Sequence, residues 1–364
     1  MKNVAANAAL VAASIVVCLL FFELVVFRFV LVASDVPAND FVNGLVRYAP
    51  NQTGVWRVRN DIAAPYAINA QGWNSGVGDY AVARKPGVKR IAVVGDSYVE
   101  ALQVPYDRSF GERLAAELSG GAEPVEVYRF AISGAPLSQY LYMVERDVTR
   151  YAPDWIVVLL VHNDFPESLH PVPGRYTSSF LKVRVNAGRV VEEIAPKPWR
   201  PGPTDWVRRT ATMRYLYYRL HFPIEEWRDW LLPSARANTG RFSANVDIEA
   251  VLQQMPDIVA ATDHLFARLA AVARGSGARL LLAMDGDRQS IYAGSRELRA
   301  LALNTMAGEL AHKHGIAFLD LHPAFSADWG VNGKHFEYPS DNHWNERAHA
   351  VAAHAIARAM KGQD

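Results

Sequence analysis

The sequence predicts an α/β protein: a parallel sheet covered by helices on both sides, preceded by one apolar N-terminal helix. Three observations carry this expectation. From Lys89 onward, short apolar runs alternate with helix-length amphipathic segments. Trp155–Val161 is a nearly continuous apolar run, the mark of a strand buried on both faces. Ala8–Ala33 is almost wholly apolar.

The N-terminal segment comes first. Ala8–Phe22 carries no charge; Glu23 and Arg28 interrupt the apolar residues beyond it. Fifteen apolar residues rise only about 22 Å, short of a ~30 Å hydrocarbon core, but the run past Glu23 makes up the length. The rival is a cleavable signal peptide ending near Val32-Ala33-Ser34, whose apolar region would be unusually long and charge-interrupted. The expected division is a short cytoplasmic N-terminus over 1–7, a transmembrane anchor over 8–33, a loop-rich lead-in over 34–87 and a main domain over 88–361. Lys2 on the short leading side puts the main domain outside the cytoplasm. Glu23 reads either as a contact for a membrane partner or, preferably, as a carboxylate near the interface.

In the main domain the strands are expected at Arg90–Val94, Val125–Phe130, Trp155–Val161, Arg279–Met284 and Ile316–Leu321. Helices are expected at Ser109–Leu118, about Leu137–Arg150, Val246–Ala273, Glu297–His314 and Glu346–Met360. An insertion at about 165–257 is long for a strand-to-helix connection. It holds a hairpin, Leu181–Val185 with Arg189–Ile194. A stretch rich in Trp206, Tyr215, Tyr217, Tyr218, Phe222, Trp227 and Trp230 comes after it. That stretch reads as a satellite core before it reads as a sugar-stacking wall or a membrane-lying face.

Composition narrows the function. Of 364 residues, 50% are hydrophobic and 21% charged, which excludes a disordered chain. The formal net charge is +1, and without residues 1–34 basic and acidic residues balance, so no basic field for nucleic acid is expected. One cysteine, Cys18, excludes a disulfide framework and a Cys-cluster metal site. Asp285, Asp287 and Asp320 lack ligand-spaced partners and read as loop or cap residues; no metal or cofactor is implied.

Gly95-Asp96-Ser97-Tyr98 stands where a buried strand ends and a helix begins, the edge at which open α/β sheets gather functional residues. Alone, Asp or Ser there is usually a cap. Far downstream, Asp341-Asn342-His343-Trp344-Asn345 precedes the last helix. Asp341 can reach Nδ1 of His343 and leave Nε2 free, although Asn345 is also a good N-cap. His322, His335 and His349 have no such partner pattern. Ser133-Gly134-Ala135 and His162-Asn163-Asp164 end two further strands and can supply oxyanion donors.

At Ser97 in Gly95-Asp96-Ser97, Gly134, Asn163 in Asn163-Asp164, and His343 with Asp341, the sequence resembles the SGNH (GDSL-type) hydrolases over about Lys89–Met360. The resemblance implies a flavodoxin-like three-layer α/β/α sandwich and a Ser-His-Asp mechanism. Ser97 would be the nucleophile, His343 the base and Asp341 its orienting partner. The backbone N–H groups of Ser97 and Gly134 and the Asn163 side chain would form the oxyanion hole. Tyr98 stands where Leu is usual, Val161 where Gly is usual two before the Asn, and Asp341 precedes the His by two positions where many members have three. The short spacing looks like the membrane-anchored, periplasm-facing bacterial branch and resembles carbohydrate O-acetyltransferases related to alginate modification. The expectation is a serine esterase removing small acyl groups from an envelope carbohydrate. Transfer to a sugar hydroxyl and a catalytically idle polysaccharide-binding module are the alternatives.

Overall fold

Five strands, β1 (Lys89–Gly95), β2 (Val125–Ala131), β3 (Trp155–Leu160), β4 (Arg279–Met284) and β5 (Ala317–Asp320), hydrogen-bond in the order β2-β1-β3-β4-β5. Every pairing is parallel. This is the doubly wound order of flavodoxin-like sheets, in which the chain reverses direction at β1 and ligands gather beyond the strands' carboxyl ends. The computed structural model describes residues 2–119, 124–171, 177–221, 242–243, 245–294 and 299–362. It divides into two compact units, one of Met1–Val36, Gly54–Ala64 and Pro201–Ala237, the other of Pro37–Thr53, Pro65–Arg200 and Asn238–Asp364.

The sheet belongs to the larger unit, and its two faces bury alternate residues. Ile91, Val93, Val127, Val157, Leu159 and Leu281 form one core, closed by Phe110 and Leu114 of helix α1 (Phe110–Leu118) and Ala352, Ala353 and Ile356 at the C-terminal end. Ala92, Val94, Ile156, Val158, Leu282 and Met284 face the other way and are equally buried. Helices α2 (Leu137–Arg146), α3 (Met255–Ser276) and α4 (Ala302–Lys313) cover that side. Each Val, Leu, Ile, Phe or Met among them contributes roughly 1.5–3 kcal/mol through burial. The last helix, α5 (Glu346–Lys361), starts at Asn345, whose side chain accepts from the Arg347 and Ala348 N–H groups at 3.0 and 3.2 Å.

Some elements depart from expectation. The single helix over Val246–Ala273 is two, Ile248–Gln253 and α3, because Pro256 can begin a helix but not continue one. A helix over His322–Asn332 has no counterpart in the sequence reading; only Phe325 in it is buried, so it shows no apolar stripe. The hairpin forms over Lys182–Asn186 and Arg189–Ile194. Part of the lead-in folds with the sheet: Trp73 is fully buried and Tyr80 stacks on Tyr128 with centroids 4.1 Å apart.

In the smaller unit the α-helix Lys2–Phe21 continues as π-helix over Phe22–Val30, and Val4–Val30 is long and apolar enough to cross a membrane. Among the described residues 201–221 of the aromatic stretch only Ala211 is buried; Trp206 is 62% and Tyr217 49% exposed, while Tyr215 stacks on Phe27 and Tyr218 meets Trp56 edge-on. Phe222, Trp227 and Trp230 lie outside the described residues.

Candidate active site

Gly95 ends β1 because nothing larger fits: a Cβ there would stand 2.3 Å from Val99 Cγ2. The chain then turns into the short helix Ser97–Glu100, capped by Asp96, whose carboxylate accepts the Tyr98 N–H at 2.9 Å. Ser97 therefore sits at the carboxyl end of a central strand. Its Oγ donates to Nε2 of His343 at 2.8 Å. Burial pushes the Asp96 carboxyl up to about 7, against the opposing Tyr98 N–H and the nearby His343.

His343 lies on a short strand, Asp341–Trp344, paired antiparallel with Glu337–Tyr338. Asp341 Oδ1 accepts twice, from the His343 backbone N–H at 2.8 Å and from Nδ1 at 2.5 Å. Burial disfavours imidazolium here, but the hydrogen bond and charge of Asp341, with the charges of Asp96 and Glu100, outweigh it. The His343 pKa lies above the ordinary imidazole value. Burial likewise acts to raise Asp341, and its bonds and charge interaction with His343 hold it below the usual carboxylate range. Nδ1 carries the proton toward Asp341, and Nε2 is free to accept from Ser97.

The strand holding His343 is fastened by groups that local motifs do not reveal. The Tyr98 ring lies 5.2 Å from the His343 ring. Its hydroxyl accepts from Asn245 Nδ2 at 2.8 Å and Arg288 Nη2 at 2.7 Å, and donates to the Asn342 carbonyl at 3.3 Å. Arg288 also donates to that carbonyl at 2.7 Å and pairs with Glu337 at 3.3 Å. Tyr98, where the resemblance leads one to expect Leu, thus has a polar task. Its position beside Ser97 is the one signal the sequence offers; Asn245, Arg288 and Glu337 have none.

Gly134 and Asn163 follow the two strands that flank β1, three residues beyond Ala131 and Leu160. Gly134 has φ +75°, where a side chain is strained although the space is open. Glu100 holds the preceding residue: its carboxylate accepts from the Ser133 N–H at 3.0 Å, the Ser133 hydroxyl at 2.5 Å and the Tyr48 hydroxyl at 2.5 Å. Asn163 stands before a turn of helix, Asp164–Glu167, and its side chain hydrogen-bonds Glu167. Asp164 is buried, accepting from the Val161 N–H and Tyr140 hydroxyl, each at 2.8 Å. His162 is also structural: Nε2 meets Asn304 at 2.9 Å, and burial pushes it down to about 4.

The remaining candidates have local tasks. Asp287 caps Arg288–Ala293, Asp285 accepts from Gly286 N–H and Trp344 Nε1, and Asp320 accepts from His322 N–H and Asn304. His349 accepts the Phe110 N–H at 3.3 Å, and His335 meets Glu337.

A family model described as GDSL-like lipase/acylhydrolase matches residues 93–351. Solved structures similar to the chain include TesA, at 15% identity over 75% of this chain and 99% of that one, with a TM-score of 0.42. The lipase/acylhydrolase from Enterococcus faecalis matches at 14% identity over 76% and 96%, TM-score 0.42. A catalytic mutant of Axe2, an acetylxylan esterase from Geobacillus stearothermophilus, matches at 12% over 76% and 96%, TM-score 0.39. No curated protein matches the chain.

Proposed function

This chain belongs to the GDSL-like lipase/acylhydrolase family and is a hydrolase of ester bonds; on that premise we propose that Ser97, His343 and Asp341 form its catalytic triad. The carrying observation is the unbroken chain Ser97 Oγ–His343 Nε2 at 2.8 Å and His343 Nδ1–Asp341 Oδ1 at 2.5 Å. In the proposed mechanism Ser97 Oγ attacks the ester carbonyl while its proton passes to Nε2. The resulting imidazolium is stabilised by Asp341 and returns the proton to the departing alkoxide as the C–O bond breaks. Water then attacks the acyl-Ser97 by the same route, with His343 again as base, releasing the acid and free Ser97. The Ser97 and Gly134 N–H groups and the Asn163 amide face the developing oxyanion.

The substrate we assign is a small acyl ester, an acetyl group on a cell-envelope carbohydrate. The protein is held by its N-terminal helix with the catalytic unit outside the cytoplasm, on the periplasmic side in a Gram-negative cell. The Asp341-Asn342-His343-Trp344-Asn345 spacing supports the carbohydrate, the length and apolarity of Val4–Val30 support the anchor, and Lys2 ahead of the apolar run supports the orientation. The test is incubation with acetylated envelope polysaccharides and mass spectrometry of the products. Free acetate is the expected outcome. Acetyl groups appearing on added oligosaccharide faster than free acetate would make the protein a transferase. Binding without turnover would make it a polysaccharide-binding module.

A further inference from the structure

We propose that residues 203–220 form an amphipathic foot that lies in the headgroup layer of the bilayer entered by the N-terminal helix, with anionic phospholipid as its ligand. This goes beyond the esterase assignment and rests on the helix being a membrane anchor. Three observations on the smaller unit carry it.

First, the segment is fastened to the C-terminal part of the helix and the residues just past it. Glu23 accepts from the Ala211 N–H at 2.7 Å and from the Thr212 N–H and hydroxyl at 2.9 Å each, so its carboxylate caps the helix Ala211–Arg214. One turn further on, Phe27 stacks on Tyr215 with centroids 4.8 Å apart, and Arg214 donates to the Ser34 carbonyl at 2.5 Å. Second, the depth of Glu23 suits the end of the hydrocarbon. Counted from Val4, ahead of the Ala8 start of the uncharged run, the helix has risen about 28 Å by Phe22, close to a ~30 Å hydrocarbon core, so a span entered at Val4 reaches its polar boundary at Glu23. A carboxylate holding three donors belongs there and not in acyl chains.

Third, the exposed side of the segment has interfacial chemistry. Trp206, Val207, Tyr217 and Leu220 are between 49% and 62% exposed. Of the four arginines in residues 201–221, Arg208 and Arg209 are exposed, with Asp205 as the segment's acidic residue, while Arg214 pairs with Asp35 and Arg219 bonds Arg59 and Asn60. The Arg209 guanidinium lies over the Trp206 ring at 5.1 Å. Amphipathic rings beside arginines suit a headgroup layer, where the rings sit among carbonyls and the cations meet phosphates.

The full-length chain is tested in phosphatidylcholine vesicles containing a minor share of phosphatidylglycerol. In a Cys18→Ser background, Val207→Cys carries an environment-sensitive fluorophore, with Val331→Cys as the aqueous reference. Flotation after carbonate washing reports the anchor separately. The expected result is a floating protein whose label at 207 is blue-shifted, quenched by lipid spin-labelled high on its acyl chain and shielded from aqueous iodide. Arg208→Gln with Arg209→Gln should reduce that lipid quenching, and removing phosphatidylglycerol should do the same. A floating protein whose label at 207 matches the reference at 331 overturns the foot and leaves the anchor standing. A chain that does not float overturns both. Quenching at 207 that ignores the arginines and the anionic lipid overturns phospholipid charge as the ligand.

Discussion

Asp341→Asn separates the charge of the Asp–His pair from its hydrogen bonds. One oxygen, Oδ1, accepts both the backbone N–H and Nδ1 of His343. An asparagine oxygen in that place keeps both bonds and the same tautomer, so the loss is the negative charge facing the imidazolium of the transition state. With charge centres about 4 Å apart and an effective dielectric constant of about 20, that attraction is about 4 kcal/mol. The expected fall in kcat is on the order of 10³. The pH profile should move too. His343 must be neutral to accept the Ser97 proton, so kcat/KM rises with pH through its titration. Burial pulls that titration down while Asp341 and the other nearby carboxylates pull it up, and in the native chain it lies above the ordinary imidazole value. Without the Asp341 charge the inflection should shift to lower pH. Hydrolysis of p-nitrophenyl acetate followed across the pH range reads both quantities. A loss below about tenfold with an unmoved inflection would refute the charge argument. A loss of about 10⁴ would mean instead that the amide had turned its N–H₂ toward the ring and imposed the wrong tautomer.

Ser97→Ala should abolish ester turnover and labelling by a fluorophosphonate probe while the circular dichroism spectrum is unchanged; persistent labelling would place the nucleophile elsewhere. Asn163→Ala should lower kcat by about 10²–10³, the range for one oxyanion donor, and an effect on KM alone would make it a substrate-binding or structural residue. Glu100→Ala should lower kcat by up to ~10² through loosening of Ser133–Gly134. Glu100→Gln should recover most of that rate, because its oxygen can accept the Ser133 N–H and Tyr48 hydroxyl while its amide donates to Ser133 Oγ. Equal rates for Ala, Gln and Glu would leave Glu100 without a positioning role. Membrane fractions carrying the full chain should resist carbonate extraction; a soluble product beginning near Ser34 or Asp35 would establish a cleaved signal instead.

The sheet is legible in the sequence because its central strands β1 and β3 are apolar runs buried on two faces, and β4 is bounded as its residues suggest. Ser97 and His343 are legible because each lies in a short local pattern at an element boundary, and two such patterns imply one site. The clamp on the His343 strand is not. Tyr98, Asn245, Arg288 and Glu337 are ordinary polar residues in their own surroundings, and only the folded chain brings them together. The same holds for Tyr48, Glu100 and Ser133, whose bonds span up to 52 positions. In the aromatic stretch ring spacing suggests packing, yet of the described rings Tyr215 and Tyr218 pack while Trp206 and Tyr217 are exposed, a difference that spacing alone does not carry.

Glu100 also bears on how stable this protein can be. Burial raises its pKa, outweighing the Ser133 and Tyr48 bonds that oppose the rise. A carboxyl raised on folding supports the native state fully only below its unfolded pKa, and that support disappears as pH climbs through the folded value. As pH climbs through that folded value, the folded chain comes to hold an ionised group that the unfolded one would solvate better. Glu100→Gln removes this titration without emptying the space, so the variant's melting temperature should fall less than the native chain's as pH rises. An amide can hold Ser133–Gly134 by the same bonds; what the carboxyl adds is a tie between the acidity of the surroundings and the robustness of the whole chain.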